Sequence, residues 1–107
     1  MGDLPMRLSR PPSLKNLRAF CVAARQLSFK LTADELCLTP SAVSHRMKEL
    51  ETILGVRLFE RRTRALELTG AGQRLLEELQ PLLEGLDRAL ARLARRDGRE
   101  TLRVRAP

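Results

Sequence analysis

Tryptophan and tyrosine are absent from this sequence, and phenylalanine occurs three times. So few rings give little support to an aromatic platform that grips single strands or RNA. Cysteine is equally scarce. Cys21 and Cys37 stand too far apart for a CxxC site, and the single histidine, His45, completes no ligand set with them. No metal is expected. The two cysteines read as small buried hydrophobes in helices, unlinked in a reducing cytoplasm. No apolar run is long enough to span a bilayer, and no hydrophobic signal-peptide core follows the first basic residues. The chain therefore reads as cytoplasmic, with no membrane partner. A catalytic constellation is also missing: His45 lacks a nearby nucleophile, and "EEL" at 77–79 has no partner carboxylates. An enzyme is not expected.

Positive charge is abundant. Twenty Lys and Arg face 13 Asp and Glu, for a net charge of +7 and a pI near 10.9. That balance points to a polyanionic partner, nucleic acid first. The 107 residues suffice for one small domain with a modest core.

Residues 1–12 show no period and close on Pro11 and Pro12, which predicts a flexible extension. Its Arg7 and Arg10 read as solvated charges within reach of phosphate. Ser13 is a candidate cap for a helix over 14–26, with Leu14, Leu17, Phe20, Cys21 and Ala24 as its buried stripe. Ser28 is the next cap, for a short helix over 29–37. Thr39 caps a third, with Pro40 at its first position, where a missing N–H costs nothing. Val43, Met47, Leu50 and Leu54 form its buried face, and Gly55 ends it in the left-handed conformation. The period then changes. "VRLFERRTRALELT" predicts a small β-ribbon with Arg61, Arg62 and Arg64 at a basic tip. Thr69 caps a last helix over about 70–96, roughly 40 Å long at 1.5 Å per residue. Pro81 inside it predicts a kink or a lost hydrogen bond. Asp97 and Gly98 are expected to end it, and the alternating "TLRVRAP" to open a strand.

At 100° per residue, Ser41, His45, Lys48 and Thr52 of the third helix lie opposite Val43, with Ser44 and Arg46 on the shoulders. Solvated helix faces usually carry Glu and Lys; this one starts with short hydroxyls, an imidazole and an amine. Two helices joined by a short connector, the second so decorated at its N-terminal end, fit a helix-turn-helix. The second helix would enter a DNA major groove, where Ser, His and Lys can donate to base acceptors or phosphate oxygens. Three arginines at a turn beside it suit a wing that rests on phosphates or dips into the minor groove.

The quoted motifs "LRAF" at 17–20, "SF" at 28–29, "AVS" at 42–44, "LE" at 50–51, "LG" at 54–55, "LFER" at 58–61 and "LTGAG" at 68–72 together resemble the N-terminal domain of LysR-type transcriptional regulators. The resemblance implies a mainly α fold: a winged helix-turn-helix of three helices plus a short β-ribbon wing, then a long dimerisation helix. It implies phosphate contacts from Ser28 and Lys30, and base and phosphate contacts along Thr39, Pro40, Ser41, Ser44, His45 and Lys48, with Arg61 at the wing. Arg46, Arg62 and Arg64 complete the candidate DNA-binding set. Three positions depart from the family pattern. Proline 40 stands where the family commonly has glutamine, which shifts base reading to Ser41, Ser44 and His45. Leu31 and Thr32 replace a basic residue and an alanine, and Gly70 replaces an acidic residue, weakening the charge–dipole interaction there.

Leu76, Leu79, Leu83, Leu86, Leu90 and Leu93 recur at alternating steps of three and four, a heptad seam. Leu75, Leu82 and Ala89 widen it. So broad a leucine face must be covered, and a homodimer through this helix is expected; in the resembled family the two helices run antiparallel. The expected division is therefore 1–12 extension, 13–69 winged helix-turn-helix, 70–97 linker and dimerisation helix, and 98–107 the start of an effector-binding domain that lies beyond this chain. The expected partners are double-stranded promoter DNA and a second copy, with a tetramer open for the full-length protein. No cofactor is expected in the chain itself; a small-molecule effector is implied for the further domain. Two other classes stay open: a dimerisation or adaptor module, and a sequence-independent DNA binder.

Overall fold

The computed structural model describes the backbone of residues 10–105 and the side chains of residues 10–95. The order is α1 (Leu14–Gln26), α2 (Phe29–Leu36), α3 (Pro40–Leu54), β1 (Phe59–Arg61), β2 (Leu66–Leu68) and α4 (Gly70–Arg105). The expected caps of α1, α2 and α3 are in place. The side chains of Ser13, Ser28 and Thr39 each accept the backbone N–H three residues on, at 3.1 Å from Asn16, Leu31 and Ala42. Each satisfies a donor that the helix start leaves open. Gly55 closes α3 at φ +73°.

The C-caps of α1 and α2 are less ordinary. Leu27 and Cys37 both take left-handed φ, +50° and +59°, a conformation that costs a residue with a Cβ about 1–2 kcal/mol. Their N–H groups return to helix carbonyls, Leu27 to Ala23 at 2.8 Å and Cys37 to Asp34 at 3.4 Å. Cys37 is exposed, not the buried hydrophobe expected, because the left-handed turn carries it out of the stripe that Ala33 occupies. Leu14 also leaves its predicted stripe, at 46% exposure in the open first turn. Thr32, standing where the resembled family has alanine, is fully buried, and its hydroxyl donates to the Ser28 carbonyl at 2.7 Å.

The core lies between α1, α2, α3, the ribbon and the first half of α4. Phe20, Val43, Met47, Leu50 and Leu58 are fully enclosed or nearly so. β1 and β2 pair antiparallel, Phe59 opposite Leu68 and Arg61 opposite Leu66. Two devices seat this ribbon. One oxygen of Glu51 accepts the N–H groups of Leu58 at 2.7 Å and Phe59 at 3.2 Å. Thr69 donates to the Arg57 carbonyl at 2.6 Å while accepting from Gly72 N at 3.0 Å. A Cβ on Gly72 would fall on the Leu58 carbonyl oxygen, so only glycine lets α4 start this close to the ribbon.

α4 departs from expectation twice. It runs through Asp97 and Gly98 to Arg105, so residues 101–105 are helical where the alternation suggested a strand. Two apolar positions are a weak strand signal, whereas an existing helix adds a hydrogen bond with each residue fixed, and one glycine costs only about 1 kcal/mol. Pro81 sits on the exposed side, so the Glu77 carbonyl that loses its donor belongs to an exposed residue. The leucine seam is also divided. Leu79 and Leu83 are buried in the head, and Leu76 and Leu86 are half-buried against it. Leu82, Leu90 and Leu93 remain 69%, 52% and 57% exposed. The expected six-leucine dimer seam is thus an intradomain contact in its first half, because α1 covers that side. The Arg18 guanidinium clamps the two helices, meeting both Asp87 oxygens at 2.8 and 3.1 Å.

Candidate nucleic-acid interface

α2 and α3 are joined by Cys37, Leu38 and Thr39 alone. The Leu38 N–H reaches back to the Ala33 carbonyl at 2.8 Å, which fixes the turn between them. α3 buries Val43, Met47, Leu50 and Ile53. Its other side leaves Thr39, Pro40, Ser41, His45 and Lys48 exposed, with Ser44 and Arg46 half-buried on the flanks, as the helical wheel predicts. Lys30 is exposed in the first turn of α2. Ser28 and Thr39 use one lone pair each as caps, which leaves their hydroxyl hydrogens to donate.

These side chains fall into two hollows. Ser13, Asn16, Thr39, Ser41, His45, Arg46 and Glu49 line the first. Here lie groups that the sequence did not reveal. Buried Asn16 donates to one Glu49 oxygen at 3.4 Å and Arg10 donates to the other at 3.2 Å. The hydrogen bond from Asn16 first, then that from Arg10, holds the Glu49 carboxyl below its ordinary range. A carboxylate one turn from His45 would repel phosphate, and Arg10 offsets it. Arg10 is therefore paired, not the solvated tail charge expected; Arg7 lies outside the described residues. The visible signal was Glu49 at four residues from His45, but its partners come from outside α3.

The second hollow lies between α3 and the ribbon, lined by Ser44, Lys48, Glu51, Arg57 and Arg61 above Phe29, Met47 and Phe59. Arg57 was not among the sequence candidates. Arg61 occupies the last position of β1 and donates to the Ser44 hydroxyl at 2.7 Å. Arg62 closes the turn, its N–H meeting the Ala65 carbonyl at 2.8 Å, and its side chain pairs with Glu67 at 3.2 Å. Much of its charge is thereby balanced within the ribbon. Arg64 is exposed in the turn, and among the described residues no ion pair engages it. The three arginines expected at one tip thus have three different surroundings. Among the described residues no group of three His, Cys, Asp or Glu could hold a metal ion, and no helix is long and apolar enough to cross a membrane.

A short turn between two helices, the second polar along one exposed side, and a basic two-stranded ribbon beside it define a winged helix-turn-helix DNA-binding domain. Residues 14–73 match the model of the bacterial regulatory helix-turn-helix proteins of the lysR family, and the chain belongs to that family. Among curated proteins it is 48% identical over 84 residues to the glycine cleavage system transcriptional activator homolog of Haemophilus influenzae, covering 78% of this chain and 28% of that protein. It superposes on the BenM_DBD/catB site 1 DNA complex with a TM-score of 0.73 at 29% identity, covering 80% of this chain and 94% of that one. For the CbnR_DBD–DNA complex the TM-score is 0.68 at 32% identity, covering 75% and 92%. The chain spans less than a third of the length of the curated relatives it matches.

Proposed function

We propose that this chain is the DNA-reading part of a dimeric, cytoplasmic transcriptional regulator. α3 enters the major groove and reads base edges through Ser41 and His45, while Lys30, Ser44, Lys48, Arg61 and Arg64 meet phosphates. The observation that carries this reading is the unbroken run from the exposed start of α3 across Ser44 and Arg61 to the basic turn of the ribbon. The likeness to domains solved as DNA complexes supports it. The role is binding and not catalysis, in keeping with relatives named as transcriptional regulators.

The exposed leucines of α4 support the dimer. At 100° per residue Leu82, Leu86, Ala89 and Leu93 share one line, offset from the line of Leu76, Leu79 and Leu83 that packs on the head. One broad leucine face can therefore cover its own head with one edge and a second copy with the other. Two recognition helices then meet half-sites about one helical turn apart, or a multiple of it. In the whole protein a small molecule acts through a further domain. Selecting bound duplexes from a random pool tests the core of this. The expected result is a pseudo-palindromic site preferred over scrambled duplex at every salt concentration. Equal affinity for all duplexes would leave a sequence-independent binder, and unchanged spectra of the head on adding duplex would leave an adaptor.

A further inference from the structure

All three phenylalanines of the chain stand in one row. The Phe20 and Phe59 ring centroids are 5.6 Å apart, and Phe29 meets Phe59 edge-on at 5.5 Å. Phe20 and Phe59 are buried; Phe29, half-buried, ends the row at the surface. The Arg61 guanidinium carbon lies 5.0 Å from the Phe29 ring centroid, within the range at which a ring face attracts a cation. From that position the same guanidinium donates to Ser44 Oγ at 2.7 Å. The side chain is thus held from two sides, by a ring on α2 and a hydroxyl on α3.

This arrangement sets what Ser44 can do. Its oxygen already accepts from a cation, so its own hydrogen is polarised and turned away from the guanidinium. Of the five N–H donors of the Arg61 guanidinium, one is used on Ser44, and the others stay available to a ligand. Two donors side by side, one charged, suit an anionic oxygen. They do not suit the amino edges of adenine or cytosine, which are donors themselves.

Building on the DNA-binding reading, the geometry points to Phe29 as a positioning residue that holds Arg61 and Ser44 as one preassembled clamp for a single backbone phosphate at the boundary between recognition helix and wing. Neither side chain then loses its freedom at the moment of binding, because the ring and the hydroxyl have already fixed the arginine.

The test uses the full chain and its selected duplex. Phe29→Leu and Arg61→Lys are each expected to weaken binding five- to tenfold. Lysine keeps the charge but lacks the planar fork that stacks on the ring. The double variant should bind within twofold of Arg61→Lys alone, and Phe29→Tyr should bind as the parent does. A duplex carrying one neutral methylphosphonate is expected to bind the parent protein about tenfold more weakly at one position per half-site, and Arg61→Lys should be nearly indifferent to that position. Thermal melts separate core damage from loss of positioning. Should Phe29→Leu not fold, the Arg61→Lys and Phe29→Tyr arms still decide the matter. Multiplicative losses in the double variant would make Phe29 a core residue only. Undiminished binding by Arg61→Lys, or a loss that follows a base pair and no phosphate, would overturn the clamp. A parent chain that binds no duplex at all would instead remove the DNA-binding reading itself, and the clamp with it.

Discussion

Leu93→Lys is expected to dissociate the proposed dimer while leaving the head intact. Leu93 is 57% exposed in the single chain and lies beyond the leucines that α1 covers. Fully burying a leucine is worth about 1.5–3 kcal/mol, so covering its exposed part contributes roughly 1–1.7 kcal/mol. Two-fold symmetry counts the position twice, for about 2–3 kcal/mol, or roughly a 30- to 150-fold rise in the dimer dissociation constant. No charge-burial cost is added, because a lysine at a rim can carry its ammonium to water. Sedimentation velocity across a concentration series reads the shift, and a thermal melt of the same protein should match the parent. Affinity for a two-half-site duplex should fall with the dimer, since two linked heads gain only when both bind together. Leu83→Lys provides the contrast: that side chain is buried against the head, so the substitution should lower stability by several kcal/mol, on the order of 2–5. Leu86, half-buried against the head, would mix both effects. A Leu93→Lys protein that sediments as the parent does would remove the outer leucine line from the interface.

Gly72→Ala should destabilise the chain by roughly 1–3 kcal/mol in chemical unfolding, because its Cβ has nowhere to go but the Leu58 carbonyl. The Asp87 carboxyl is held below its ordinary range by the hydrogen bond and charge of Arg18. A depressed carboxylate stabilises the fold above the unfolded value near pH 4, and that contribution fades as pH falls through the folded value. Asp87→Asn should therefore lose stability less steeply between pH 5 and pH 2 than the parent, measured by urea unfolding. Arg64→Gln should lower the slope of log affinity against log salt by about one unit at every duplex, and Arg62→Gln by less, because Glu67 already pairs with Arg62. Ser41→Ala should instead change the preference among sites.

The local devices of this fold were legible in the sequence. Ser13, Ser28, Thr39 and Gly55 act within a few residues of where they stand, so caps and helix bounds follow from spacing. The polar side of α3 was legible for the same reason. Contacts that depend on how elements meet were not. The spacing of the leucines puts Leu83 and Leu82 in different rows, but does not say which row α1 covers and which stays exposed. Arg61 read as one of three wing cations, yet its surroundings come from Phe29 and Ser44 on two other helices. Helix spacing says nothing of what Glu49 and Glu51 meet. Their roles, holding Asn16 with Arg10 and seating the ribbon, involve residues distant in sequence. Residues 101–105 show the converse, where a two-position alternation lost to the continuing helix.

The most direct test of the account is an amide NMR titration of the chain with a selected duplex and with a scrambled one of equal length. The selected duplex should shift the amides of Thr39 to Lys48 and of Arg61 to Ala65, while those of Arg18 and Asp87 on the α1–α4 side stay in place. The scrambled duplex should produce weaker, salt-sensitive shifts at the phosphate contacts Lys30, Ser44, Lys48, Arg61 and Arg64 alone. Shifts confined to α4 with α3 unmoved, or identical responses to both duplexes, would contradict the claim that α3 and the wing read DNA sequence.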